Sequence, residues 1–130
     1  MPINFNFINA NARSLNNKIE SLIELFNEYE LSAAILTETW FKNGRNLNNE
    51  LLDLECAEDI SIIARNRSSR GGGVAIAYNN ISLNMKEYKI PGNTFEMVCA
   101  IGNTSKSQRK ITIVSIYVPP RQRVATTAKL

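Results

Sequence analysis

A chain of 130 residues has room for one domain and little more, and its 44% hydrophobic and 21% charged content is that of an ordinary globular protein, with no apolar run near the roughly 20 residues that span a bilayer. It contains no histidine, which excludes a Ser-His-Asp or Cys-His nucleophile and removes the commonest zinc ligand and near-neutral base, leaving carboxylates, amides, hydroxyls and a hard metal for any chemistry. The net charge of +3 is unevenly spread: residues 1–60 hold four Lys/Arg against ten Asp/Glu, a balance of −6, and residues 61–130 hold eleven against two, a balance of +9, so the second half can face an anion such as nucleic acid or simply carry a solvated basic surface.

The start, Met-Pro-Ile-Asn-Phe-Asn, has neither the basic nor the apolar region of a secretory signal, and an intracellular protein is expected. Ile3, Phe5 and Phe7 alternate with Asn4 and Asn6, as in a strand with one buried face that ends near Asn9 and Asn11. Ser14 is placed to cap the helix that follows, in which Ile19, Leu22, Ile23, Phe26 and Tyr29 recur at helical spacing. Leu31–Thr37 is a short apolar run suited to a strand covered on both faces. Strand, amphipathic helix and buried strand make a βαβ unit, whose strands are expected to be parallel. Residues 41–58 read as a polar loop. Ile60–Ala64 and Val74–Tyr78 read as strands joined by the basic, Gly-rich stretch Arg65–Gly73, and 81–89 as a weaker strand. Thr94–Ile101 and Ile111–Val118 are strong strands separated by the polar loop Gly102–Lys110, and Pro119-Pro120 ends the last. Cys56 and Cys99 have no metal-ligand spacing and are expected as free thiols. Residues 1–120 are thus one domain, and 121–130 a disordered tail.

Ligands in α/β sheets bind beyond the carboxyl ends of strands. Asn9 and Asn11, Thr37-Glu38-Thr39, and Tyr117 stand at such ends. If the first two strands are parallel neighbours, Asn11 and Glu38 emerge side by side, offering oxygen ligands suited to Mg²⁺. Each has a plainer reading: Asn11 as a turn residue, Glu38 as a capping or surface acid, Tyr117 as a half-buried strand aromatic. Arg65, Arg67 and Arg70 flank a triple glycine, either to meet a phosphate backbone or as an ordinary exposed hairpin. Trp40 is a base-stacking candidate, but packing beneath the 41–58 loop accounts better for it.

The order of segments narrows this. Asn11-Ala-Arg-Ser-Leu15, an amphipathic helix, Ile35-Leu-Thr-Glu-Thr-Trp40, Arg65-Asn-Arg67, Gly71-Gly-Gly-Val-Ala-Ile76 and Ile116-Tyr-Val-Pro-Pro120 together resemble the opening of endonuclease/exonuclease/phosphatase domains, in particular the apurinic-type endonucleases of non-LTR retrotransposons. The resemblance covers nearly the whole chain up to Pro120. It implies an α/β fold with a mixed sheet: half of a four-layer sandwich, supplied as one sheet with a βαβ start and leaving an apolar sheet face bare. It implies catalytic roles for Asn11, Glu38 and Tyr117, with Glu38 and Asn11 at a Mg²⁺ (or Mn²⁺) site and Tyr117 near the scissile phosphate. Asn66 departs from the pattern, in which an acidic residue commonly lies between the arginines.

The family completes its site with a later Gly-Asp-x-Asn stretch, a further acidic residue and a closing Ser-Asp-His, none of which occurs in these 130 residues. The expectation is therefore a fragment of a metal-dependent DNA endonuclease from a retrotransposon or reverse-transcriptase-like protein. It should bind metal weakly, be inactive alone, have DNA and the missing C-terminal half as partners and no membrane, and be nuclear if genomic DNA is its target. Alternatives are a non-catalytic nucleic-acid-binding fragment, another phosphatase or phosphodiesterase of the same superfamily, or a translated remnant with no role.

Overall fold

The computed structural model describes residues 5–15, 18–40, 58–65, 72–90 and 96–118. Seven strands and one helix follow in the order β1 (Phe7–Asn11), α1 (Ile19–Glu28), β2 (Ala33–Thr37), β3 (Ile60–Arg65), β4 (Val74–Asn79), β5 (Leu83–Glu87), β6 (Glu96–Thr104) and β7 (Lys110–Tyr117). They form a four-stranded sheet ordered β1-β2-β4-β3 and a three-stranded sheet ordered β5-β6-β7. β1 and β2 are parallel, as a βαβ crossover requires, and every other pairing is antiparallel.

The helix forms because Ile19, Leu22 and Phe26 make one apolar stripe, and all three are buried. That stripe lies on the first sheet, against Ala34, Leu36, Ile60, Ala75 and Ala77. Three alanines at the contact leave space for the larger helix side chains. Asn6 closes the crossover, donating its Nδ2 to the carbonyls of Tyr29 and Glu30 at 3.4 and 3.3 Å, where the helix runs out of internal partners.

The other face of the first sheet presents Ala33, Val74, Ile76 and Tyr78 to Leu83, Met85, Val98, Ala100 and Ile113 of the second, and these form a second core. The α/β class and the half-sandwich are therefore as expected, but the single sheet is in fact two packed face to face. β5–β7 form an antiparallel meander whose apolar face packs on Ile76 and its neighbours, covering the first sheet instead of extending it. The Ser115 hydroxyl joins the layers by donating to the Leu36 carbonyl at 2.7 Å in the buried interface.

Three local expectations are corrected. In β1 the residues packed on the helix side are Ile8 and Ala10, while Phe7 is 56% exposed on a strand at the edge of its sheet. The cap position of the described helix is Lys18, without a side-chain cap bond, and not Ser14, whose N–H donates to the Glu38 carbonyl at 2.8 Å. Gly102 lies within β6 and not in a loop, since β6 runs on to Thr104. A Cβ there would stand 1.9 Å from the Asn84 carbonyl oxygen, so glycine is what lets β5 approach. The 41–58 loop up to residue 57, Cys56, Arg67, Arg70, Pro119-Pro120 and the 121–130 tail lie outside the described residues, as does any packing of that loop on Trp40.

Candidate functional site at the strand ends

One row of paired residues, Asn11, Thr37, Val74 and Arg65, crosses the end of the first sheet. At about 4.8 Å between strands it is some 14 Å long. The parallel β1–β2 pairing brings Asn11 and Glu38, 27 residues apart, to the same rim, where Asn11 Nδ2 donates to Glu38 Oε2. The Asn11 side-chain oxygen, Oδ1, accepts the Arg13 N–H at 3.2 Å. The amide nitrogen of Asn11 therefore faces the Glu38 carboxylate.

Three backbone hydrogen bonds between the segments after β1 and β2 hold this arrangement. Ala12 N–H bonds to the Thr37 carbonyl at 2.8 Å, Ser14 N–H to Glu38 at 2.8 Å, and Leu15 N–H to Thr39 at 3.0 Å. On the other side Thr39 and Trp40 donate to the carbonyls of Gly73 and Gly72 at 3.3 and 2.9 Å. Within that clamp Glu38 and Trp40 adopt φ of 53° and 59°, a left-handed conformation that residues with a Cβ keep only when their surroundings impose it. Thr39 is fully buried, and its Oγ1 has no hydrogen-bond partner among the described residues.

Tyr117 ends β7 and shares a cleft of about 430 Å³ with Asn9, Asn11, Thr37, Ile116 and Val118. Asn11 is thus shared between this cleft and the contact with Glu38. Arg65 sits at the far end of the row, beside Glu87, Tyr88, Lys89 and Ile90, and not in the Asn11 cleft. Asn9 and Glu96 are site neighbours to which the residue pattern assigned no role. Asn9 is on the Asn11 face of an alternating strand, which could have marked it. Glu96 is one of only two acidic residues in 61–130, placed at the start of a strong strand. Among the described residues no group of three or more His, Cys, Asp or Glu could hold a metal ion, and no helix is long and apolar enough to cross a membrane.

No protein-family model matches the chain, and no curated protein matches it. Solved structures do. The apurinic (AP) endonuclease LMAP from Leishmania major superposes with a TM-score of 0.61 at 16% identity, over 86% of this chain and 39% of the other. An AP endonuclease from Archaeoglobus fulgidus gives 0.55 at 15%, over 89% and 42%. The 3′ phosphatase NExo from Neisseria, bound to a product DNA hairpin, gives 0.57 at 13%, over 92% and 47%. The fold is that of part of an endonuclease/exonuclease/phosphatase domain. The chain spans half or less of the length of these three structures, while nearly all of it takes part in the match.

Proposed function

We propose that this chain is the first part of a metal-dependent DNA endonuclease domain of the kind carried by non-LTR retrotransposons and reverse-transcriptase-like proteins, and that it does not cleave DNA alone. The observation that carries the reading is that Asn11 lines one strand-end cleft with Tyr117 and bonds to Glu38, in a fold shared with AP endonucleases and a 3′ phosphatase bound to DNA. DNA is the proposed partner, with a nuclear setting where that DNA is genomic and the remainder of such a domain as the second partner.

Glu38 would hold the divalent cation, Mg²⁺ or Mn²⁺. The donor set fits a hard ion: a carboxylate, partly exposed, at a site where water can fill the remaining positions. With so few protein ligands, affinity should be about millimolar or weaker. Bound there, the ion would offset phosphate charge. The chain's own residues do the rest. Asn11 fixes the carboxylate through its N–H, the Tyr117 hydroxyl can donate to a phosphate oxygen, and Arg65, at the edge of the same rim, can pair with a flanking phosphate.

No residue of these 130 is a histidine, so the commonest means of moving a proton from water near pH 7 is missing, a deficit typically worth about 10²–10⁴-fold. The test is nicking of supercoiled plasmid under Mg²⁺ or Mn²⁺, with binding to the same DNA followed against salt. Salt-sensitive binding with cleavage at background is expected. Robust nicking that vanishes in Glu38→Ala would overturn the claim of inactivity, and no binding at low salt would overturn the DNA reading.

A further inference from the structure

Glu96 opens β6 directly opposite Tyr117. It is partly buried, and its Oε1 accepts the Gly73 N–H at 3.0 Å. Gly73 belongs to the first sheet's side of the molecule and Glu96 to the second, so this bond crosses between layers at the rim of the cleft. The chain of contacts continues from there. The Gly73 and Gly72 carbonyls take the N–H groups of Thr39 and Trp40, and the Glu38 and Thr39 carbonyls take those of Ser14 and Leu15. Glu38 sits inside this series with a φ of 53°, a conformation whose cost must be met by the contacts around it.

Gly73 itself has a φ of 90°, and a Cβ would stand 2.5 Å from Thr39 Oγ1. The Gly72–Gly73 segment is therefore pressed against the Glu38 turn and has little side-chain packing of its own. What ties it to the second sheet is the Glu96 carboxylate. A charged acceptor makes a shorter and stronger bond to a backbone N–H than a neutral one does.

We infer that Glu96 is a positioning residue for Glu38: by anchoring Gly73 it sets the turn that aims the Glu38 carboxylate at Asn11, and it couples that aim to Tyr117 across the β6–β7 pair. The inference rests on the reading of Glu38 as the metal-holding group, but concerns its placement and can be tested without metal.

The experiment uses the ¹⁵N-labelled 130-residue chain and its Glu96→Ala, Glu96→Gln and Glu38→Gln variants. Three signals are followed: the Gly73 amide, the Asn11 side-chain amide, and broadening of the latter by Mn²⁺. In Glu96→Ala the Gly73 proton should lose its hydrogen-bonded downfield shift. The Asn11 side-chain resonances should move toward those of Glu38→Gln, and half-broadening should need about tenfold more Mn²⁺, the equivalent of one charge-assisted bond. Glu96→Gln, whose amide oxygen can still accept the Gly73 N–H, should restore most of each signal. Unchanged backbone amides of Ala34 and Ala77 would show the core intact; if Glu96→Ala loses them, Glu96→Asp, one methylene short of Gly73, takes its place. Asn11 resonances that stay at their wild-type positions when the Gly73 bond is lost would overturn the inference, as would a Gln variant no better than Ala. If the parent chain shows no Mn²⁺ broadening at Asn11, the metal reading fails, and the Gly73 and Asn11 shifts still decide the role of Glu96.

Discussion

At Gly73 two constraints coincide: a φ of 90° and a neighbouring hydroxyl 2.5 Å from where a Cβ would lie. Either alone disfavours a side chain, and together they make Gly73→Ala expensive, by roughly 2–3 kcal/mol. A urea melt should show that loss, and an unchanged midpoint would mean that the turn relaxes freely. Cys99 is a different kind of residue-scale case. It is a buried free thiol opposite Val114 in the second sheet, and burial pushes its pKa above the ordinary 9.0. The folded state thus favours the neutral thiol. Its contribution to stability is complete below the unfolded-state pKa and is lost as pH rises through the higher folded value. The checks are a thiol reagent at pH 8, which should react much more slowly with folded than with urea-unfolded chain, and a melting midpoint that falls as pH rises above about 9. Equal reaction rates in the two states would show that Cys99 is accessible.

Among elements, the two sheets hold each other mainly through apolar contact, with Ser115 as a polar exception. Its hydroxyl is fully buried and bonds to Leu36 in the opposite sheet. Ser115→Ala removes the donor and leaves a carbonyl with one partner fewer in a dry interface, which should cost about 1–3 kcal/mol. Equilibrium denaturation would measure it, and a neutral result would mean that water replaces the hydroxyl. The βαβ unit is tied down differently. The segments that follow β1 and β2 bond to each other beyond the strands, so the Asn11–Glu38 contact depends on the docking of the whole unit and not on either strand alone.

Taken whole, the described part has three layers: helix, sheet, sheet. The outer face of the second sheet has no described helix over it, and Val114 and Ile116 stand 41% and 47% exposed there. β7, which carries both, is also an edge strand. An exposed apolar edge strand favours association between copies. The 130-residue chain should therefore aggregate in proportion to concentration and melt with poor cooperativity. Val114→Lys together with Ile116→Lys should reduce light scattering while moving the unfolding midpoint by no more than the roughly 0.5 kcal/mol usual for surface changes. A large fall in stability would show that this face is packed in solution.

Local periodicity and punctuation were enough to reveal the parallel βαβ start, the position of α1 and most strand limits, because those features depend on residues close in the chain. The ends of the first two strands carried Asn11 and Glu38 in a recognisable order for the same reason, and their meeting followed once the strands were parallel neighbours. The division into two sheets was not legible. Alternation in β5–β7 says that one face is buried, not whether the strands extend the first sheet or cover it, and only the packing of Leu83, Val98 and Ile113 on Ile76 decides that. Nor could spacing reveal the side-chain geometry: that Asn11 offers nitrogen to Glu38, that Arg65 stands away from the cleft, or that Glu96 reaches Gly73. Those depend on which strands lie across from one another and on rotamers chosen by long-range contacts, and no window of neighbouring residues contains either.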